Sequence, residues 1–380
     1  MKNVILILTD WYLPGYKAGG PIRSLANLVT TLENTFDINI ITSDSDLNSS
    51  QPYESIEPDK WLNICKSKII YLSKSNKAIR RIKELILEVN PDVIYLNSMY
   101  SAYFTVYPLI ASIVLKKKYK VILAPRGMLQ KGALHLKNNK KKLFLFIFKL
   151  FVLDRKIIFH ATDEQEKEDV IKQFPSYKAV AVISNFVNLP VKAERNNQKK
   201  GGYLRLVYIS VISSKKNLSY LPFVFSNVHE KIIFDVYGPI KDKKYWGSFL
   251  EKIKGVQNIT FNYKGDLPNN LVQKTLAEYD FFILPTLGEN FGHAIYEALS
   301  TGTPVIISNK TPWRNLEEKK AGWDIPLAEP EKFVEVLNKC AAMDQEEYEE
   351  WSKGAHNFAI KYYEENDPTE KYLEMFGWKG

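Results

Sequence analysis

The sequence predicts an α/β protein made of two doubly wound domains, and three observations support this fold class. The chain has 380 residues, and a usual size of about 150 residues per domain gives roughly two domains that each bury a core. Short apolar runs of strand length alternate with segments of helical period along the chain. The alternation is interrupted at residues 189–202, where a polar stretch that ends in glycines is typical of a connection between domains.

The first domain, predicted at residues 1–188, has the pattern of a parallel sheet. Its apolar runs are continuous rather than alternating, which is typical of strands that helices cover on both faces. Residues 4–8 predict the first strand, and residues 22–32 predict the helix that follows it. Further strands are predicted at residues 38–42, 93–96, 121–124, 157–160 and 180–183.

The second domain, predicted at residues 203–359, begins where the alternation restarts. Its strands are predicted at residues 204–209, 232–237, 259–263, 281–284 and 305–307, with helices between them. Ligands of doubly wound sheets bind outside the carboxyl ends of the strands. The active site is therefore expected in the cleft between the two domains.

The composition excludes several classes of protein. A hydrophobic fraction of 45% with 25% charged residues is ordinary for a folded globular chain, which excludes a disordered, collagen-like or coiled-coil protein. No apolar stretch reaches the roughly 18 to 20 residues that span a bilayer, so an integral membrane protein is not expected. Cys65 and Cys340 are the only cysteines, which gives no disulfide framework and favours a reducing, cytoplasmic location.

The net charge of +9 is concentrated in the first half of the chain. Residues 1–190 contain 27 Lys and Arg against 17 Asp and Glu, whereas residues 191–380 contain 25 against 26. The first half is thus expected to face a phosphorylated ligand, a nucleic acid or the cytoplasmic membrane leaflet. Its densest basic block, Lys137 with residues 140–142, precedes the apolar residues 143–148. This segment predicts either a membrane-interface helix or an ordinary helix with a buried apolar face and solvated lysines.

The segment from residue 280 to residue 307 carries the strongest chemical signal. It predicts a strand, a tight loop, a helix from about Phe291 that ends at Gly302, and a second strand. Glu289 falls in the loop at the carboxyl end of the strand, and Glu297 lies about two turns into the helix. Carboxylates accept paired hydrogen bonds from vicinal hydroxyls, and free N–H groups at a helix start suit phosphate. The pair therefore suits a ligand with a sugar and a ribose on either side of a diphosphate.

This segment resembles a known family. Glu289-Asn290-Phe291-Gly292 with Glu297, followed by residues 298–306, is similar to the E-x7-E signature of the family-4 retaining glycosyltransferases with the GT-B fold. The resemblance extends to residues 214–218 (Ser-Lys-Lys-Asn-Leu) and to residues 17–23 (Lys-Ala-Gly-Gly-Pro-Ile-Arg). The three motifs stand in the family's order and are spread over most of the chain.

The resemblance implies roles for the residues of the second domain. Glu289 would hold the donor sugar and help to stabilise charge at the reacting centre. Lys216 would neutralise the leaving diphosphate, which is also the role that electrostatics favours for a lysine in the cleft. Glu297 would bind the ribose. The backbone of the loop and helix start would contact sugar and phosphate through Asn290, Phe291, Gly292 and His293. Independently of the resemblance, Lys264-Gly265-Asp266 follows a predicted strand of the second domain, and the nucleotide base is expected there.

The resemblance also implies features outside this segment. Gly19 and Gly20, which open the helix that contains Arg23, would approach the donor phosphate or the acceptor from the first domain. The final helix, about residues 360–380, would cross back to the first domain. The family retains the anomeric configuration, by front-face attack without a covalent intermediate, and needs neither a metal nor another cofactor.

Two positions depart from the family's pattern. Many relatives have an arginine five residues before the cleft lysine, where this chain has Val211. Lys215 or a residue of the first domain would then supply the second cation, or donor affinity would be reduced. Relatives often have a histidine in a first-domain loop that here corresponds to residues 125–128. Arg126 in this loop would supply charge to the phosphate or acceptor, although it cannot act as a base; a structural arginine is the alternative.

Other motifs are weak. Asp44-Ser45-Asp46 has the spacing of a metal-binding D-x-D, but such a triplet after a strand is usually a turn. The histidines show no spacing typical of a zinc site, and His293 is singled out only by its position beside the proposed sugar contacts. No G-x-G-x-x-G follows the first strand, which argues against a nicotinamide or flavin dehydrogenase.

The sequence thus predicts a metal-independent hexosyltransferase that uses a nucleotide diphosphate sugar. The basic first domain suggests a lipid-linked oligosaccharide as acceptor, in bacterial surface polysaccharide synthesis at the inner face of the membrane. Alternatives are a GT-B epimerase or phosphorylase, or a basic nucleic-acid or membrane-binding protein with a vestigial nucleotide site. Nucleic acid is not an expected partner, because no reading motif accompanies the basic residues. Salt-dependent binding to polyanions without saturable binding of a sugar nucleotide would favour the last alternative.

Overall fold

The computed structural model describes residues 2–115, 117, 119–129, 144–146, 148–149, 157–175, 179–195 and 198–378. The chain forms two compact units, the first comprising residues 1–187 with 367–380 and the second residues 188–366. Both units have helices around a mostly parallel sheet. The predicted doubly wound α/β class is confirmed.

The first unit is built on an eight-stranded sheet in the order β3-β4-β2-β1-β5-β6-β7-β8. All its strand pairs are parallel except β3 with β4. The strands are β1 (Val4–Leu8), β2 (Asp37–Ser43), β3 (Trp61–Ile64), β4 (Ser67–Leu72), β5 (Val93–Leu96), β6 (Lys120–Leu123), β7 (Ile157–Ala161) and β8 (Val180–Val182). Among the described residues before 188, the helices with defined bounds are α1 (Gly20–Leu32), α2 (Ile79–Val89), α3 (Tyr107–Val114) and α4 (Glu164–Gln173), and a π-helical turn, Ala102–Val106, precedes α3.

Both faces of this sheet are covered, which explains the continuous apolar runs. Successive residues of a strand point to opposite faces, and β1 follows this rule. Leu6 and Leu8 pack in one apolar cluster with side chains of α2 and α3, whereas Ile5 and Ile7 pack in a second cluster with side chains of α1. Each strand therefore contributes apolar residues to two cores.

The second unit is built on a six-stranded parallel sheet in the order β11-β10-β9-β12-β13-β14. The strands are β9 (Tyr203–Ile209), β10 (Lys231–Tyr237), β11 (Ile259–Gly265), β12 (Phe281–Leu284), β13 (Val305–Ser308) and β14 (Gly322–Ile325). The helices are α5 (Leu221–Phe225), α6 (Lys243–Ile253), α7 (Val272–Leu276), α8 (His293–Thr301), α9 (Pro330–Ala342) and α10 (Gln345–Glu365).

The last helix, α11 (Thr369–Phe376), belongs to the first unit. Tyr372 and Phe376 are buried in the same cluster as Ile5 and Ile7. The ring of Phe376 contacts those of Phe36 and Tyr95 edge to face. The segment that follows α10 thus completes the core that the first residues of the chain begin.

Lys137 and lysines 140–142, which gave rise to the two interpretations of the basic block, lie outside the described residues. Of the apolar residues that follow, Leu145 and Phe148 are buried in the core of the first unit, while Phe146 is exposed. Within the described part of the chain, no helix is long and apolar enough to cross a membrane.

Candidate active site

The candidate site lies at the topological switch point of the second sheet. From β9 the chain builds outward through β10 and β11, then returns to the other side of β9 with β12. The loops that follow β9 and β12 therefore leave the same sheet edge, side by side, at the place where doubly wound sheets bind ligands. Lys216 lies in the first of these loops and Glu289 in the second.

The two side chains form an ion pair. Lys216 Nζ contacts Glu289 Oε1, although the residues are 73 positions apart. The side chain of Glu289 is 9% exposed and that of Lys216 is 22% exposed, so both stay within reach of a ligand while water is mostly excluded. Charges in such a setting interact more strongly than on an open surface. The structure therefore brings together the two predicted catalytic residues of the second domain.

Backbone hydrogen bonds fix the loop that carries Glu289 to the loop that carries Lys216. Leu287 N donates to Lys215 O at 2.8 Å, and Thr286 Oγ1 lies 3.2 Å from the same carbonyl. Ser308 Oγ, at the end of β13, donates to Thr286 O. These bonds hold the Glu289 loop against the loop after β9 and the end of β13.

A third loop, which follows β13, also positions Glu289. Glu289 N donates to Lys310 O at 2.9 Å, and Trp313 Nε1 donates to Phe291 O at 2.6 Å. The Trp313 side chain is buried, and its ring contacts those of Phe291 and Tyr296. Sequence reasoning missed Lys310 and Trp313. The only available signal was that this loop leaves the same sheet edge as the Glu289 loop.

Helix α8 begins directly after the Glu289 loop. Gly292 is its N-cap with φ of 83° and offers no side chain, so the first N–H groups of the helix point towards the loop without a capping side chain. A Cβ at Gly292 would stand 2.9 Å from Ile295 Cδ1, and a side chain would be strained at this φ. The His293 ring lies 4.7 Å from that of Phe291. Asn290 and Glu297 are half-buried, Asn290 in the loop and Glu297 on the second turn of α8.

A second lysine lies beside the ion pair. Burial lowers the pKa of Lys215; Glu289 opposes this shift, while Lys216 and Lys241 lower the pKa further. Its Cε lies 3.9 Å from where a Cβ of Gly288 would stand. Lys241 belongs to the loop after β10, which is fixed to the loop after β9 by Ile212 N to Pro239 O and Lys241 N to Ile212 O. Lys215 and Lys216 thus both interact with the Glu289 carboxylate, and Lys241 adds positive charge beside Lys215.

Lys264, predicted near the base, lies on β11 at the sheet's edge, two strands from β9. Its Nζ is 3.4 Å from Asp235 Oδ2, and its side chain is 43% exposed. Asp235 also accepts hydrogen bonds from Asn262 Nδ2 and Tyr279 Oη. No contact in the described part of the second unit joins Lys264 to the Glu289 loop, and its role stays a prediction.

In the first unit the predicted glycines open α1. Gly19 has φ of 69° and is the N-cap, Gly20 is the first helical residue, and Arg23 lies in the first turn, half-buried. The preceding loop is held by the carboxylate of Asp46, whose Oδ2 accepts from Tyr16 N at 2.9 Å and from Lys17 N at 3.1 Å. The second aspartate of the D-x-D triplet therefore has a structural use. Among the described residues no group of His, Cys, Asp and Glu is arranged to hold a metal ion.

Arg126 lies in an internal network of the first unit. Its guanidinium donates to Asn97 Oδ1 at 2.7 Å, to Asn185 Oδ1 at 2.6 Å and to Tyr95 Oη at 2.8 Å. These three partners come from β5 and from the loops after β5 and β8. Most of the guanidinium N–H groups that would bind a phosphate are therefore already hydrogen-bonded within the first unit. This favours the structural alternative for Arg126 over contact with phosphate or acceptor.

Residues 191–358, which contain the whole of this switch-point site, match the model of a family described as glycosyl transferases group 1. The second unit is a glycosyl transferases group 1 domain. The predicted glycosyltransferase resemblance is confirmed at this level. Lys216, Glu289 and Glu297 all lie inside the matched residues of the group 1 domain. Membership of family 4 stays a prediction.

Solved structures similar to the whole chain agree with the fold described above. HepE from Anabaena, crystallised with UDP and glucose, is 14% identical with a TM-score of 0.68 over 98% of both chains. Sucrose-phosphate synthase from Thermosynechococcus elongatus is 13% identical with a TM-score of 0.69 over 98% of this chain and 97% of its own. The predicted GT-B fold is confirmed. A protein from the cps region of Klebsiella pneumoniae is 22% identical over 75% of this chain and 78% of its own length.

Proposed function

We propose that the chain is a retaining glycosyltransferase that moves a hexose from a nucleotide diphosphate donor to a lipid-linked oligosaccharide during bacterial surface polysaccharide synthesis. The observation that carries this proposal is the Lys216–Glu289 ion pair at the switch point of a group 1 domain. The lysine and the carboxylate carry charges opposite to those that develop on the donor during the reaction. The leaving diphosphate is anionic, and the reacting sugar carbon becomes electron-poor.

The geometry supports distinct roles for the residues of this site. Lys216 would move from its carboxylate partner to the diphosphate when the donor binds, because phosphate carries the larger negative charge. Glu289 would then hold the donor sugar and stabilise positive charge beside it. The N-terminus of α8 faces the same loop and would bind phosphate through backbone N–H groups. Glu297, one to two turns further on, would accept the ribose hydroxyls.

A UDP-sugar is the donor that we propose first. Among the similar structures, HepE was crystallised with UDP-glucose, and a variant of TarM from S. aureus was crystallised with UDP. The lipid-linked acceptor is supported by the positive charge of residues 1–190 and by the genomic setting of the Klebsiella relative. A solved structure of an outer core galactosyltransferase of lipopolysaccharide, WaaB, is also similar, with a TM-score of 0.60 at 15% identity.

The donor is tested by a thermal-shift panel of UDP, GDP, ADP and their sugar conjugates. A ligand that binds only the folded protein stabilises it by RT ln(1 + [L]/Kd), about 2.7 kcal/mol at a hundredfold excess over Kd. We expect UDP and one UDP-hexose to raise the melting temperature. Failure of every nucleotide to do so at millimolar concentration would contradict the proposal and favour a vestigial site.

Glu297→Ala is expected to weaken binding of the stabilising nucleotide about tenfold, because the ribose hydroxyls lose a charged acceptor. Isothermal titration calorimetry with the nucleoside diphosphate measures the change. Glu335→Ala, on the exposed face of α9, is the matched control and should bind like the parent protein. Equal affinity of the Glu297 and Glu335 variants would remove Glu297 from the ribose role.

Lys215→Met is expected to weaken binding of the nucleoside diphosphate about tenfold and binding of the monophosphate much less. Val211 leaves the site without the family's arginine, and the side chain of Lys215 lies along the backbone of Gly288 beside Glu289. An added charge-assisted contact to the second phosphate has this magnitude. Calorimetry with both nucleotides gives the ratio.

Lys252→Met, on an exposed position of α6, controls for the loss of one positive charge. If the Lys215 variant loses affinity for the diphosphate and the monophosphate equally, Lys215 acts through its general positive charge and does not contact the second phosphate. A variant with unchanged affinities shows that the second cation comes from elsewhere.

A further inference from the structure

The first unit presents an apolar stripe on the outer side of the π-helical turn and α3. Along this continuous helical segment the outward positions recur every three or four residues, which places them on one face. Tyr103, Ile110, Ile113 and Val114 are 40%, 37%, 40% and 57% exposed. Val106 and Tyr107 are partly exposed between them, and the rings of Tyr103 and Tyr107 are in edge-to-face contact at 5.6 Å. We call these six residues the α3 stripe.

The stripe lies largely apart from the face that the helix uses for packing, and of its members Tyr107 also packs against the core of the first unit. Phe104, Leu109 and Ala111 point inward and are buried in the core of the first unit. A surface helix usually has polar residues on its outward side. The packing of the first unit therefore does not explain why the other side of this helix is apolar as well.

The charge pattern around the stripe is equally unusual. No Asp, Glu, Lys or Arg occurs between Asp92 and Lys116, and the segment then continues with lysines at 116, 117, 118 and 120. Lys117 is exposed directly beyond the C-terminal end of α3. Apolar side chains and tyrosines followed by a cluster of lysines complement a lipid surface, where acyl chains lie beneath anionic headgroups.

We propose that the α3 stripe docks this protein on an anionic membrane surface, with its apolar side chains among the acyl chains and the adjoining Lys117 among the headgroups. This inference rests on the proposed lipid-linked acceptor, because a protein that uses such an acceptor must reach the plane in which the acceptor is embedded. It assigns the contact to the α3 stripe and the exposed Lys117.

The proposal is tested with phosphatidylcholine vesicles that contain about one third phosphatidylglycerol. The full-length protein should co-sediment with them, and binding should decrease as salt is raised because the headgroup attraction is screened. Ile113→Gln combined with Val114→Gln should reduce vesicle affinity at least tenfold, since two apolar side chains lose their burial. Phe223→Gln, at a 62% exposed position of the second unit, is the matched control and should bind like the parent.

A second readout does not depend on loss of binding. In a Cys65→Ser background, Ile113→Cys and Phe223→Cys are each labelled with a polarity-sensitive fluorophore. Cys340 is buried and should stay unlabelled. Addition of the vesicles should shift the emission of the label at position 113 to shorter wavelength and leave the label at position 223 unchanged.

Three results would overturn the proposal. The first is equal vesicle binding by the double variant and the parent, and the second is no emission shift at position 113. The third is a parent protein that is dimeric by light scattering and a double variant that is monomeric. Nucleotide stabilisation in the thermal-shift panel separates this inference from the proposed function. A protein that responds to a nucleoside diphosphate but ignores vesicles loses only the membrane surface, whereas one that binds vesicles but responds to no nucleotide loses only the transferase role.

Discussion

Glu289→Gln is expected to lower turnover of the donor sugar by about 100- to 1,000-fold while nucleotide affinity changes little. Glutamine keeps the shape of the side chain and one hydrogen-bond acceptor, but it removes the charge that would stabilise the electron-poor sugar carbon. Loss of one pre-positioned electrostatic group at a reacting centre typically has this size. Because the amide still accepts a hydrogen bond from Lys216, the loops that form the site should stay in place.

The measurement is the slow hydrolysis of the donor sugar nucleotide that responds in the thermal-shift panel, with water as acceptor. Nuclear magnetic resonance of the released sugar reports the rate, and the anomer formed first reports retention or inversion. Glu278→Gln, an exposed carboxylate of the same unit, is the control. A Glu289 variant that keeps more than about a tenth of the parent rate would show that this carboxylate does not act at the reacting centre.

The pH dependence of stability is expected to reveal His160 in the first unit. His160 is fully buried; its Nε2 is 2.9 Å from Ile183 O and its Nδ1 is 2.8 Å from Tyr95 Oη. A carbonyl can only accept, so Nε2 carries the proton and Nδ1 accepts from the tyrosine. Burial and, secondarily, the charge of Arg126 lower the pKa of His160 from 6.5 to about 3, against the effect of Ile183 O.

The sign of the effect follows from proton binding. Between pH 6.5 and about pH 3 the unfolded chain binds a proton at this histidine and the folded chain does not. The free energy of unfolding should therefore fall as the pH is lowered through this window, by about 2 kcal/mol at pH 5 relative to neutral pH. The His160 contribution is complete above the unfolded pKa and is progressively lost below it.

Urea unfolding at neutral pH and at about pH 5 measures this difference. His160→Gln should be less stable than the parent at neutral pH but should lose the extra decrease on acidification. His229→Gln, at an exposed position, should keep the parent's pH dependence. If the parent and the His160 variant lose the same free energy between the two pH values, the buried histidine is not the source of the acid sensitivity.

The central strands could be predicted from the sequence because burial on both faces produces unbroken apolar runs. Val4–Leu8, Val93–Leu96 and Phe281–Leu284 coincide with predicted strands. Strands β3, β4 and β14 were missed. β3 and β14 lie at sheet edges, where Asn63 or Asp324 is tolerated, and β4 begins with a serine and a lysine before its apolar residues. An edge strand is less completely buried than a central one, so it lacks the unbroken apolar run by which a central strand is predicted.

The candidate site was predictable to the extent that it depends on side chains at strand ends. Lys216 and Glu289 each follow a strand, and the sheet order brings them together. Lys310 contributes through its carbonyl oxygen and Trp313 donates to a carbonyl, and a backbone contact leaves no pattern in residue types. For Arg126 the residue itself could be identified from the sequence, but its partners could not. Its charge was visible, but Asn97 and Asn185, which occupy its guanidinium, are distant in sequence and become neighbours only through β5 and β8.

The return of α11 to the first unit has a consequence for biosynthesis. Residues 1–187 leave the ribosome early, yet the cluster that contains Phe36 and Tyr95 also needs Tyr372 and Phe376. While the second unit is being translated, the core of the first unit is therefore incomplete, and part of its apolar surface stays exposed. Nascent chains in this condition are prone to aggregation and to capture by chaperones, so this protein should reach its native state only after synthesis, with its amino-terminal half maturing last.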